Sequence, residues 1–199
     1  MTAPRPLRLG CLVSGGGRSV MNLQDLIERG ELPASIALVL ATKPGVPAIG
    51  RARERGLRVV EISPEPRATI DDRVDAALRD AGVQLVVLAG YLRLFRPSAW
   101  RGRCINIHPA LLPRHGGKGL WGHHVHEAVL AAGDRESGCT VHWVDEQYDH
   151  GEAILQRRCP VLPGDSPDTL AARVFAEELL ALPDAIQRIA DGASAHVAP

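Results

Sequence analysis

The apolar positions of this chain fall into short, dense runs separated by turns rich in glycine and proline. L-R-L-G-C-L-V (7–13), I-A-L-V-L-A (36–41) and L-V-V-L-A (85–89) are nearly continuous apolar stretches of strand length, the pattern of strands covered on both faces. Between them the period changes. Leu23, Leu26 and Ile27 repeat at helical spacing up to Gly30, a helix follows K-P-G-V-P over 48–55, and 71–81 places Val74, Ala77 and Leu78 on one face. L-R-V-V-E-I (57–62) supplies a further strand. Strands alternating with helices predict a mostly parallel central sheet with helices on both faces, a Rossmann-like α/β fold.

The second half changes its rhythm. C-I-N-I-H (104–108) reads as a strand, followed by a loop rich in glycine and histidine over 113–123 and a helix over 125–132. Strands over 139–144 and 153–161 are close enough in the chain to pair antiparallel. D-S-P-D-T-L (165–170) joins a serine or aspartate cap to a first-turn proline, which predicts a long helix reaching about Ala190 and a frayed tail over 192–199.

Alternation within C-I-N-I-H has a chemical consequence. Ile105 and Ile107 enter one side of the sheet, so Asn106 and His108 project together on the other. An amide and an imidazole at the carboxyl end of a strand lie where α/β sheets bind ligands; there the amide can stabilise negative charge on oxygen and the imidazole can move a proton. A hydrogen-bonded structural pair is the plainer reading.

S-G-G-G-R-S (14–19) stands between the first strand and the first helix. It is either a tight turn or a cradle in which backbone N–H groups and the helix N-terminus meet a phosphate. Its spacing matches neither G-x-G-x-x-G nor the P-loop pattern. Y-D-H-G (148–151) offers Asp149 either as turn chemistry or as a carboxylate for His108. His124 and His126 form an H-x-H pair without a third ligand at a recognisable spacing, so no metal is expected.

Composition narrows the partners. With 199 residues the chain suits one domain, and 23 basic residues balance 23 acidic ones, so no long-range field favours nucleic acid or an anionic membrane. Four widely spaced cysteines without a C-x-x-C pair read as buried thiols in a reducing cytoplasm. The opening residues carry too short an apolar run for a secretory leader, and no stretch is long enough to span a membrane.

S-G-G-G-R-S-V-M-N-L, V-L-A-G-Y-L-R-L-F, I-N-I-H-P-A-L-L-P and V-H-W-V-D-E-Q-Y-D-H-G, taken in this order, resemble the phosphoribosylglycinamide formyltransferases over about 7–192. The resemblance implies a single formyltransferase domain over 1–199, with a phosphate-binding βαβ half (1–100), a catalytic and folate-binding half (101–191) and a tail (192–199). It implies formyl transfer from 10-formyltetrahydrofolate to the amine of phosphoribosylglycinamide in purine biosynthesis, without metal, by a cytoplasmic monomer or homodimer.

Asn106, His108 and Asp149 match the catalytic set of that family. Gly16, Gly17, Arg18, Ser19 and Asn22 match its phosphate grip, and Arg67, Leu92, Arg93, Leu94, Phe95, Asp145, Glu146, Gln147 and Tyr148 its folate contacts. Two segments depart from the pattern. The glycine loop is lengthened by Arg18 and Val20–Met21, and R-H-G-G-K-G-L-W-G-H-H is longer than the usual link, so Lys118 and Trp121 are expected either to reshape the entrance or to touch the phosphate. Another small amine acceptor, formyltetrahydrofolate hydrolysis and a non-enzymatic folate- or nucleotide-binding module are the competing readings.

Overall fold

The computed structural model describes residues 6–192. The expected frayed tail, beyond Gly192, and the first five residues of the stretch read as no leader lie outside them. β1 (Leu7–Val13), α1 (Arg18–Glu28), β2 (Ala34–Ala41), α2 (Pro47–Glu54), β3 (Val59–Glu61), α3 (Ile70–Asp80), β4 (Leu85–Leu88) and β5 (Cys104–His108) form the alternating half. α4 (His123–Ala131), β6 (Glu136–Trp143), β7 (Ala153–Pro160) and α5 (Pro167–Ala190) complete the order.

The seven strands share one mostly parallel sheet, as the patterning predicts, in the order β3-β2-β1-β4-β5-β6-β7. β1 to β5 run parallel, while β6 lies antiparallel to both β5 and β7. The strand order reverses direction between β1 and β4. This opens a crevice at the carboxyl edge, where neighbouring connections leave toward opposite faces.

Each sheet face has its own core. Leu9, Cys11, Val13, Ile105 and Ile107 pack with α1, α2, α4 and α5, whereas Leu12, Val86 and Cys104 pack with Ile70, Val74 and Leu78 of α3. The four cysteines are buried free thiols. α5 lies across β6 and β7. Its start follows the expected chemistry, since Ser166 Oγ accepts from Thr169 N–H while Thr169 Oγ1 accepts from Ser166 N–H.

Three strands differ from the expectation by two residues or more, β2 among them, which starts at Ala34 because Ala34 and Ser35 pair with Leu7 and Arg8. β6 starts at Glu136 because Glu136 and Ser137 pair with Pro160 and Cys159, so ladder bonding extends the strand past its apolar run. β3 shrinks to Val59–Glu61 at the sheet edge, where it pairs only with Val39–Ala41.

Candidate active site

A cleft of about 680 Å³ opens at the carboxyl edge of the sheet and joins segments far apart in the chain. Its walls include the glycine loop after β1, Gly90–Phe95 after β4, Asn106 and His108 of β5, 117–123 before α4, and Gln147–Asp149 after β6. Ser14 ties two of these walls: its N–H donates to Gly90 O and its Oγ accepts from Leu92 N–H.

The pleat of β5 places the amide and imidazole as the alternation requires. His108 is 3% exposed, and both ring nitrogens face oxygen acceptors. Nε2–H donates to His115 O at 2.8 Å, and Nδ1 lies 3.4 Å from Asp149 Oδ2. Two acceptors suit an imidazolium. Burial works the other way and pulls the His108 pKa below its ordinary value, against the Asp149 charge and the His115 carbonyl.

Asp149 sits in the turn between β6 and β7 with φ 53, a left-handed conformation that aspartate tolerates better than most residues. Its Oδ1 accepts from Asn106 Nδ2 at 3.2 Å and its Oδ2 from Gly117 N–H at 3.0 Å. Burial alone would raise its carboxyl, but the His142 and His108 rings and the Gly117 N–H outweigh that, leaving it below the usual range.

His142 completes the group. It stands opposite Asn106 in the β5–β6 register, and its Nδ1–H donates to Trp143 O at 2.8 Å. A carbonyl can only accept, so in the neutral ring Nε2 accepts from Asn106 Nδ2 at 3.1 Å, while in the imidazolium it carries an N–H toward Asp149 Oδ1, 3.6 Å away. Both amide hydrogens of Asn106 are therefore directed, one at His142 and one at Asp149.

The glycine loop forms the other end of the cleft. Gly17 caps α1 with φ 69, and a Cβ there would lie 2.5 Å from Ala48 Cβ, so both backbone conformation and space require glycine. No side chain caps the helix, which leaves its first N–H groups without a side-chain partner where Gly15–Ser19 line the cleft. The Arg18 guanidinium lies 3.8 Å from the centre of the Phe175 ring on α5. Glu178, one turn further along, lines the same wall, and withdrawal from water pushes its carboxyl up to about 7 despite Arg18.

Formyl transferase describes the family model that matches residues 7–186. The chain belongs to the formyl transferase family. The trifunctional purine biosynthetic protein adenosine-3 of Drosophila melanogaster is 38% identical over 203 residues, covering 96% of this chain and 14% of that protein. The chloroplastic phosphoribosylglycinamide formyltransferase of Arabidopsis thaliana is 39% identical over 183 residues, covering 88% of this chain and 62% of that protein. The chain thus spans about one seventh of the first relative's length and less than two thirds of the second's. Glycinamide ribonucleotide transformylase 1 from Symbiobacterium toebii superposes with a TM-score of 0.89 at 35% identity, covering 96% of this chain and 90% of that one.

Within this formyl transferase, most of the residues read from sequence meet in the cleft. Asn106, His108, Asp149, Gly16, Gly17, Arg18, Ser19, Leu92, Arg93, Leu94, Phe95, Gln147 and Tyr148 all line it, and Arg93 also pairs with Asp71 at 2.6 Å. Four lie elsewhere. Asn22 points across α1 and donates to Leu179 O at 2.8 Å, because the lengthened loop places it a full turn into the helix. Arg67 is exposed on the 3-10 turn Arg67–Thr69, outside the cleft lining. Asp145 folds into its own turn, accepting from Gln147 N–H at 2.8 Å and contacting His150 Nδ1 at 2.7 Å, and Glu146 pairs outward with Arg101 at 3.0 Å.

Sequence reading missed His142, Phe175 and Glu178, and the backbone groups of His115 and Gly117. Alternation in β6 could have singled out His142 only with the β5–β6 register known. The H-x-H pair diverges: His124 is exposed and contacts Glu127, while His126 is buried against the cleft. Among the described residues no group of three or more His, Cys, Asp or Glu side chains is placed to hold a metal ion.

Proposed function

We propose that this chain transfers the formyl group of 10-formyltetrahydrofolate to the amine of phosphoribosylglycinamide. The observation that carries the reading is one cleft joining an open, glycine-lined helix N-terminus to Asn106, His108 and Asp149. A phosphate on the first and a reacting carbonyl beside the second would place a small phosphorylated amine between them.

The amine attacks the formyl carbon, and the carbonyl π electrons move onto oxygen. Asn106 Nδ2 would meet that oxyanion with the hydrogen now directed at Asp149, the longer of its two contacts, while His142 keeps the other and fixes the amide plane. Protonated His108 adds positive charge and Asp149 sustains it; the proton that the attacking amine must lose would pass by way of Asp149 and water to the folate nitrogen as its C–N bond breaks and tetrahydrofolate leaves. Gly16, Gly17, Ser19 and the Arg18 guanidinium would hold the phosphate, and Glu178 is placed to accept from sugar hydroxyls. Leu92, Arg93, Leu94, Phe95, Gln147 and Tyr148 would enclose the folate.

No helix among the described residues is long and apolar enough to cross a membrane. The same reading takes the chain as one domain, acting on small molecules in the cytoplasm as a monomer or homodimer. The test is the absorbance change on folate release, measured with and without phosphoribosylglycinamide. Turnover only with the ribonucleotide is the expected result. Turnover without it would make the chain a hydrolase, and tight folate binding without turnover a binding module.

A further inference from the structure

The loop between β5 and α4 holds both His108 and Asp149 through its backbone, and it is anchored from behind. His115 Nε2 lies 2.7 Å from Asp134 Oδ2, while Arg114 Nη2 lies 2.7 Å from Asp134 Oδ1. The His115 and Asp134 side chains are only 14% and 12% exposed, so their contact is largely shielded from solvent. Asp134 itself sits on the short connection between α4 and β6.

His115 occupies φ 55, an uncommon conformation for a residue with a side chain. Two residues later Gly117 N–H donates to Asp149 Oδ2. Between them Gly116 passes so close to Leu112 that a Cβ would collide with its side chain, with Asp149 Cβ 3.2 Å away. The segment has little room to shift unless its anchor is released.

We propose that His115 and Asp134 form a positioning pair for the catalytic imidazole: the side-chain contact holds residue 115 in its left-handed conformation, which aims the His115 carbonyl at His108 Nε2–H. The carbonyl then fixes which nitrogen carries the resting proton and turns Nδ1 toward Asp149. Without the anchor the left-handed backbone relaxes, the carbonyl leaves Nε2, and His108 holds its second proton less firmly. His108 is faced by Asp149 from the turn after β6, His142 from β6, His115 from its own loop and His126 from α4, so the carbonyl acts alongside one carboxylate and three other imidazoles.

The inference rests on the proposed reaction only for its kinetic readout, so it is tested on two. In substrate-free protein, NMR titration of the His108 ring in His115→Ala should move its midpoint to lower pH than in the wild type. In turnover, kcat near neutral pH should fall about ten- to a hundredfold while KM for both substrates stays within about twofold, because misaimed chemistry rather than lost binding is the defect. Asp134→Ala should behave likewise, and the double variant should be no worse than either single one. His115→Gln, which can still donate to Asp134, should recover most of the rate. If His115→Ala fails to give the wild-type circular dichroism spectrum, Asp134→Ala, which removes the acceptor from the other side, carries the same readouts. An unmoved His108 midpoint, or losses that multiply in the double variant, would overturn the proposal. Wild-type turnover without ribonucleotide would overturn the acceptor instead and leave the NMR result standing.

Discussion

Asn106 and His142 face one another across the β5–β6 pair, with the amide nitrogen 3.1 Å from His142 Nε2 and the ring's other nitrogen spent on the Trp143 carbonyl. The contact orients the amide by making it donate to a fixed lone pair. His142→Ala should therefore lower kcat by roughly tenfold to a hundredfold with little change in KM, whereas Asn106→Ala, which deletes the donor itself, should cost about a hundred- to a thousandfold. Steady-state kinetics on both variants check this. Equal losses would mean that His142 does more than orient.

Asp149 supplies the negative charge that opposes the effect of burial on His108. In Asp149→Asn that support is gone, so His108 should lose its second proton at lower pH than in the wild type. The expected kinetic result is a rate profile whose falling limb shifts toward acid, with a loss of about a hundredfold or more at neutral pH. A profile of wild-type shape at reduced height would argue against the charge pairing.

The Arg18 guanidinium is braced by the Phe175 ring, which places Phe175 behind the proposed phosphate contact. Arg18→Ala should raise KM for the ribonucleotide about tenfold, the scale of a hydrogen bond between charged groups. Phe175→Ala should raise it less, and neither should alter KM for folate. Raised KM for folate in place of the ribonucleotide would mean that the two ends of the cleft are assigned the wrong way round.

Burial depresses the pKa of His108 and His126, and Asp149 is also below its ordinary range. Each of these groups binds protons more readily in the unfolded chain, so acidification favours unfolding. The histidine contribution is complete above the unfolded histidine value of about 6.5 and is lost as pH falls through the lower folded values, with the Asp149 contribution following below about 4. Denaturant melts should show stability declining as pH falls below about 6.5, and His126→Leu should flatten that slope by removing one buried neutral imidazole.

Gly17 occupies φ 69 against Ala48. Gly17→Ala should destabilise by about 2–4 kcal/mol, combining left-handed strain with overpacking, and should raise KM for the ribonucleotide because the cradle must shift. A thermal melt and a KM measurement on the same sample suffice. A wild-type melting temperature would show that the loop adapts freely.

Much of this was legible from residue pattern. Dense apolar runs of strand length, bounded by turn residues, marked two-sided strands, the change of period marked the helices, and alternation through Ile105, Asn106, Ile107 and His108 put the two polar side chains on one face before any contact was known. These are local properties, set by backbone geometry and by the need to bury apolar surface. Asn22 shows where that reasoning stops: its place in the sequence motif suited the phosphate loop, but helical rotation turned it toward Leu179.

The sequence by itself determined an α/β sheet, the residues on each strand face and the family's motif order. Only the tertiary structure decided that His142 lies opposite Asn106, that residues 115 and 117 reach His108 and Asp149 through backbone atoms, and that Phe175 and Glu178 from α5 line the cleft with the glycine loop. The reason is physical. Strand register and helix packing bring together residues distant in the chain, and a carbonyl or N–H group carries no mark in the sequence of the partner it will find.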